Sequence, residues 1–214
     1  MDNCIVCKSK CLDIFLKVDN LTYWKCGFCE AKFLDKKNYI SYNEEKKHYL
    51  KHNNSLSDQG YRDFLQCLIK PLKDKISNND FGLDYGCGYA PALADIFKKD
   101  GFNIDVYDPF FFPNQNIFLK KFKFIACSEV VEHLFKPYEE FIKIDNLMDL
   151  NAWFGVMTSF MTEDFLFKNW HYRRDPTHVV FYKKKTFKVI ASQRRWKVLF
   201  PSKNIALFNK IDLS

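Results

Sequence analysis

An α/β fold is predicted, with helices wound on both faces of a mostly parallel sheet and a small cysteine-rich module in front of it. Three observations carry this reading. From Phe81 onward, strand-like and helix-like segments alternate, the order that builds a parallel sheet covered on both sides. The stretch FGLDYGCGYAPALADIF, Phe81 to Phe97, leads a short apolar strand through a glycine turn into a helix opened by Pro91. Two C-x2-C pairs, Cys4 with Cys7 and Cys26 with Cys29, precede all of this.

Residues 1–36 hold those pairs and two short strand-like runs, LDIFLKV and TYWKC. Eighteen residues separate the pairs, a spacing that matches a tetrahedral site of four thiolates. So short a segment buries too little surface to fold alone, which gives a structural Zn2+ at Cys4, Cys7, Cys26 and Cys29 a physical reason. Cys11 is a spare. Residues 37–78 form a tyrosine-rich helical connector. In it Tyr61, Phe64, Leu65, Leu68, Ile69, Leu72 and Ile76 recur at helical spacing, behind a cap at Ser57 or Asp58. Cys67 lies on that helix and is expected in the core. Residues 79–214 hold the sheet. Strands are expected near 81–85, 103–108, 123–128 and 153–160, and helices near 91–100, from about 130, near 137–148 and near 186–194. The closing pair, WKVLFPS and IALFNK, suits an antiparallel hairpin at the sheet edge. Cys87 and Cys127 read as packing.

Of the 214 residues, 47% are hydrophobic and 18% aromatic, which supplies one full core and a small appendage. No apolar run reaches membrane-span length, and the start, MDNCIVCKSK, lacks the apolar stretch of a signal peptide, so a cytoplasmic location is expected. In that compartment eight cysteines read as thiols or metal ligands. The net charge of +7 is uneven: from Phe165 to Lys210 twelve Lys and Arg face one acid, Asp175. Such a lobe attracts an anionic partner or is simply a solvated face.

The glycine turn constrains the ligand. A dinucleotide fingerprint would place glycines at 86, 88 and 91, but position 91 is Pro. Asp84 stands where a pyrophosphate would approach, so a diphosphate is repelled and a ligand carrying an ammonium or sulfonium is favoured. Asp108 follows Gly86 by 22 residues, close to the offset at which an acid accepts both hydroxyls of a ribose. A cationic amino-acid group near Asp84 and a ribose at Asp108 describe S-adenosylmethionine (SAM). The donor-binding candidates are Asp84, Tyr85, Gly86, Cys87, Gly88 and Tyr89 at the turn, then Asp108, Pro109 and Phe110, then Ser128 and Glu129.

LDYGCG resembles the first motif of class I SAM-dependent methyltransferases, and FKFIACSEVVEHL resembles their fourth-strand motif. NWHYRRDPTHVVFYKKKTF is similar to the stretch after the fifth strand in the subfamily that includes quinol O-methyltransferases and sugar methyltransferases, many of which carry an N-terminal Cys-rich module. The resemblance spans roughly residues 81–214. It implies a Rossmann-like methyltransferase fold, SAM as methyl donor, and transfer to an O, N or C nucleophile of a small acceptor. One departure stands out. Only 14 residues lie between Asp108 and Lys123, where the family usually fits a helix and a third strand. There is room for a loop and a short strand, NIFL. Phe110, Phe111 and Phe112 are then the candidates to wall the adenine.

Removing a proton from the acceptor would fall to His133, His171, Tyr172 or His178. The spacing of Glu129, Glu132 and His133 puts them on one face if a helix has begun there. With His178 they resemble the divalent-metal site of small-RNA 2′-O-methyltransferases, which implies a second divalent ion. The bland alternative is a capping and hydrogen-bonding role for the same residues. A nucleic-acid methyltransferase gripping through the 165–210 lobe and the ribbon, and a non-catalytic SAM- or SAH-binding protein, are the other readings. The ribbon itself lacks the basic and aromatic stripe that nucleic-acid binding favours.

Overall fold

A computed structural model gives the fold and describes residues 2–51 and 55–211. The larger sheet has six strands: β4 (Phe81–Tyr85), β5 (Asn103–Tyr107), β6 (Phe122–Ser128), β7 (Met148–Met157), β9 (Trp196–Ser202) and β10 (Ile205–Lys210). Their spatial order is β5-β4-β6-β7-β10-β9. The first four run parallel, and β10 and β9 are antiparallel, so the closing hairpin lies at the edge as its sequence suggests.

Helices cover both faces. On one, α2 (Gln59–Lys73) and α3 (Ala92–Lys99) pack Leu65, Leu68, Leu72, Ile96 and Phe97 against Phe124, Met157 and Leu207. On the other, α4 (Pro137–Leu147) and α5 (Lys184–Arg194) bring Phe141, Ile144, Phe187 and Ile190 onto Phe154 and Phe208. Each such side chain removed from water stabilises the fold by roughly 1.5–3 kcal/mol. Asp58 caps α2 by accepting from the Tyr61 amide. Cys67, expected in the core, is exposed, because it sits one step off the stripe formed by Leu65, Leu68 and Leu72.

The segment after β5 holds no third strand. Gln115–Leu119, the place of the expected NIFL strand, is a 3-10 turn, capped by the Asn114 side chain on the Asn116 amide. Asp108 and Phe112 exchange backbone hydrogen bonds instead and fold the loop back on itself. The helix expected from about 130 is also shorter: a 3-10 turn covers Val131–His133, and α4 waits for Pro137.

The cysteine-rich module is not a separate bead. Its strands β1 (Leu12–Val18), β2 (Leu21–Cys26) and β3 (Lys32–Leu34) form an antiparallel sheet, and its fourth strand is β8 (Val180–Phe181) from far along the chain. Between the module and α2 runs α1 (Tyr42–Tyr49), opened by a capping box in which Ser41 and Glu44 satisfy each other's backbone.

Candidate active site

The glycine turn is built as its residues require. Gly86 and Gly88 have φ of +81° and +65°, left-handed conformations that other residues adopt at a cost. At Gly86 a Cβ would lie 2.5 Å from Val130. At Gly88 it would meet nothing within 4 Å, because that side faces an open cavity. Asp108, at the end of β5, accepts from the amides of Gly88 (3.1 Å), Phe110 (2.8 Å) and Phe111 (3.0 Å). One carboxylate thereby ties the glycine turn to the loop that replaces the third strand.

The chain leaves β6 through Ser128 and Glu129, and Glu129 has φ +51°. Glu129, Glu132 and His133 therefore do not share a helical face as their spacing suggested. A different geometry gathers the chemistry. Ligand atoms of Glu132, His133 and His178 lie within 4.8 Å of one another, while Glu129 is linked to them through Tyr172. The Tyr172 hydroxyl contacts Glu132 Oε1 at 2.5 Å and Glu129 Oε2 at 3.0 Å, and Thr158 donates to Glu132 Oε2 at 2.9 Å. Burial raises the pKa of Glu129, and burial together with the neighbouring Glu129 raises that of Glu132 well above its ordinary value. His133 Nδ1 bonds the Thr177 carbonyl at 3.1 Å, and His178 Nδ1 bonds the Tyr172 carbonyl at 2.7 Å. A carbonyl only accepts, so both Nδ1 atoms carry hydrogen, and in the neutral rings Nε2 is the basic nitrogen.

These parts surround a cavity of about 430 Å³. Gly86, Cys87, Gly88, Tyr89, Asp108, Pro109, Phe110, Ser128, Glu129, His133 and His178 all line it. Ser128 Oγ is the one buried side-chain polar atom without a hydrogen-bond partner among the described residues, and Ser128 is part of this lining. An orphaned hydroxyl beside a glycine cradle and an acidic strand end fits a polar ligand.

Several expected residues stand outside the lining, Glu132 among them. Asp84 lies beneath α3, where its carboxylate accepts from the Ala94 amide at 3.1 Å, and burial pushes its pKa up to about 7. It does not line the cavity. Tyr85, on the opposite face of β4, donates to Glu140. His171 is exposed and outside the lining, and Tyr172 is also outside it, its ring packed on that of His178 at 4.1 Å. Phe112 also stays out of the lining, whereas Phe110 and Phe111 are in it.

Sequence reasoning missed the roof. Glu45 and Tyr49 from α1, Tyr61 from α2, and Asp175 line the same cavity. Tyr42 stacks on Phe110 at 4.6 Å, Tyr49 packs edge-on to Phe110 and His133, and His48 Nε2 meets Asp175 Oδ2 at 3.2 Å. The tyrosine-rich composition of the connector was the only signal for this. Burial would raise the Asp175 pKa, but hydrogen bonds from Thr177 outweigh it and hold the carboxyl down at about 2.

In the module the four expected cysteines converge and are buried, with Cys4–Cys29 and Cys7–Cys26 sulfur distances of 3.7 Å. The Val6 and Cys29 amides point at the sulfurs of Cys4 and Cys26, both at 3.4 Å. Cys11 is exposed and outside the cluster.

A parallel sheet with an antiparallel edge, entered through a glycine turn and an acidic strand end, is the architecture of class I SAM-dependent methyltransferases, and the sequence match to a methyltransferase family makes the chain an enzyme of that class. The family model described as Methyltransferase domain matches residues 58–199, and the chain belongs to that family. Among solved structures, the chain is similar to 1,6-didemethyltoxoflavin-N1-methyltransferase of Burkholderia thailandensis, solved with 1,6-didemethyltoxoflavin and S-adenosylhomocysteine (SAH). The TM-score is 0.54 and the identity 11%, over 94% of this chain and 100% of the other. The N-methyltransferase NodS of Bradyrhizobium japonicum WM9, in complex with SAH, aligns with a TM-score of 0.51 at 11% identity, over 79% and 98% of the two chains. A SAM-dependent methyltransferase from Archaeoglobus fulgidus aligns with a TM-score of 0.51 at 16% identity, over 73% and 75%. These identities make the likeness one of fold. No curated protein matches the chain in sequence. Among the described residues no helix is long and apolar enough to cross a membrane.

Proposed function

We propose that the chain methylates an oxygen or nitrogen nucleophile on a small-molecule acceptor, with SAM held along Gly86–Tyr89, Asp108–Phe110, Ser128 and Glu129. SAM supplies an activated methyl, so the protein's work is alignment, exclusion of water and proton removal. The acceptor half of the cavity is the part under α1, between Tyr49, His133, His178 and Asp175. The observation that carries the reading is the pair of imidazoles, each fixed at Nδ1 by a backbone carbonyl and each lining the cavity. Either Nε2 is suited to take the proton of an acceptor OH or NH.

The cavity lining contains Glu45, Asp108, Glu129 and Asp175 and no Lys or Arg. That balance favours a neutral or cationic acceptor over the anionic one suggested by the charge of residues 165–210. Several of those basic residues face acids instead: Lys183 and Lys185 face Glu30, Arg173 faces Asp19, and Lys210 faces Asp145. An acceptor screen read by SAH release, with His178→Asn and His133→Asn as controls, tests the proposal. Release that no small molecule stimulates would sink it.

The convergence of Glu132, His133 and His178 favours a second reading, a divalent cation at these three side chains with Glu129 nearby. Metal-ligating imidazoles usually donate their other ring N–H to such a backbone carbonyl, which orients them. Bound there, the ion would lower the pKa of an acceptor hydroxyl. Chelation that leaves turnover intact while His178→Asn abolishes it would rule the ion out and leave His178 as the base.

In the module, Cys4, Cys7, Cys26 and Cys29 would hold a structural Zn2+. Their four buried sulfurs cannot all ionise without a counter-charge, and the amides aimed at Cys4 and Cys26 favour thiolates. We assign residues 1–36 to this ribbon, 37–78 to the helical roof and 79–214 to the methyltransferase domain.

A further inference from the structure

The path from the cysteine cluster to the acceptor half of the cavity is short and made of backbone. Cys26 ends β2, and its amide bonds Ala31 O at 3.0 Å, closing the knuckle onto β3. Strand β3 pairs with β2 on one side, Lys25 opposite Lys32, and with β8 on the other, Lys32 opposite Phe181 and Phe33 opposite Val180. The Leu34 amide then bonds Val179 O, and the Val179 amide bonds Glu132 O, both at 2.8 Å. Val179 directly follows His178. One strand of the module therefore holds, through a single residue, the two segments that carry His178 and Glu132.

The other contacts of the cluster reinforce this attachment. Thr186 Oγ1 donates to Cys29 O at 2.9 Å, and Gln193 Nε2 donates to Cys7 O at 2.9 Å, so α5 grips both knuckles. Lys32 is fully buried on β3, and its ammonium meets Asp164 Oδ1 at 2.6 Å. None of these contacts touches the glycine turn or Asp108. The glycine turn is held by the Tyr107 carbonyl and Asp108, which belong to β5 and its end.

We infer that the four-cysteine cluster is a positioning device for the acceptor half of the site, acting through the β3–β8 register on His178 and Glu132 and leaving the glycine turn and Asp108 untouched. The metal content of the cluster then sets whether the enzyme can align an acceptor, while SAM and SAH bind either way. A 1 Å displacement of a positioned group costs on the order of 100-fold in rate, so a loosened register suffices to silence the site.

The inference rests on the zinc reading, and the test separates the two. The full-length protein is compared with and without metal removed by a chelator, using hydrogen exchange by mass spectrometry and calorimetric titration with SAH. A second protein, Leu34→Pro, keeps all four cysteines but lacks the amide that bonds Val179 O. Expected on metal removal is exchange in the 176–182 segment at least about 10-fold faster, no change at 86–94, and SAH affinity within about threefold, taking tenfold per 1.4 kcal/mol. Leu34→Pro should show the same exchange pattern with its metal retained. Unchanged exchange at 176–182 in both proteins would make the module a separate appendage and overturn the inference. Loss of SAH binding together with that exchange would make the module a staple of the whole fold and overturn it equally. Protein that carries no metal as purified, yet loosens at 176–182 in Leu34→Pro, would defeat the zinc reading and keep the clamp.

Discussion

The phenol of Tyr172 lies 2.5 Å from Glu132 Oε1 and 3.0 Å from Glu129 Oε2. A phenol has one hydrogen to give, so it cannot serve two ionised carboxylates at once. That shortage of donors agrees with the raised pKa of both acids, a direction that burial sets. Tyr172 joins the end of β6 to the loop carrying His178, and its loss is predicted to loosen both. Tyr172→Phe should cost about 1–3 kcal/mol, the range for leaving a buried polar group short of a partner. Urea denaturation checks this, and a midpoint equal to that of the native protein would mean that Glu132 and Glu129 find other partners.

Asp84 gives a pH prediction. Its folded pKa, near 7 through burial, lies above the ordinary 3.8. The stability it confers is complete below about pH 4 and declines as pH rises through 7, to an extent on the order of 4 kcal/mol at about 1.4 kcal/mol per unit. Ligand-free protein should therefore melt lower at pH 8.5 than at pH 5.5. Asp84→Asn, which keeps an acceptor for the Ala94 amide, should flatten that difference. An unaltered slope in the variant would place the titration elsewhere.

The two turn glycines should fail differently. Gly88→Ala meets only its left-handed φ, about 1–2 kcal/mol, but its methyl enters the cavity, so SAH affinity should fall more than stability. Gly86→Ala adds a collision with Val130, roughly another 1–3 kcal/mol, and should lose stability first. Thermal melts and SAH titrations on both variants separate the effects. Equal behaviour would mean the cavity does not hold the ligand beside Gly88.

Elemental analysis of protein made in zinc-supplemented medium should return close to one zinc per chain, released by chelator only on prolonged exposure. A metal-free protein with an ordered module would remove zinc from the account.

The glycine turn and the cysteine pairs were legible in the sequence because local rules dictate them: positive φ selects glycine, and two C-x2-C turns each present a pair of thiols to one point. Asp108 was found by its offset from Gly86, and the closing hairpin by its alternation. Asp84 was misplaced because a strand's two faces look alike in sequence, and only packing tells that its carboxylate lies under α3. Glu129 defeated the helical-face argument because a non-glycine residue at φ +51° leaves no sequence signature. Glu45 and Tyr49 could not be read as lining, since nothing local says that α1 closes over the cavity. The pairing of Leu34 with Val179 joins residues far apart in the chain, and no periodicity within either segment foretells it.

The central claim is that this methyltransferase binds its donor at the glycine turn, with Asp108 beside the ligand. Calorimetric titration with SAH tests it most directly, on the native protein and on Asp108→Asn. The amide keeps one acceptor for the loop but loses the charge, so about 1.5–3 kcal/mol of binding should go, a roughly 10- to 150-fold weaker affinity. Saturable 1:1 binding to the native protein, weakened by that factor in the variant, is the predicted result. No binding to the native protein, or equal binding to both, would contradict it.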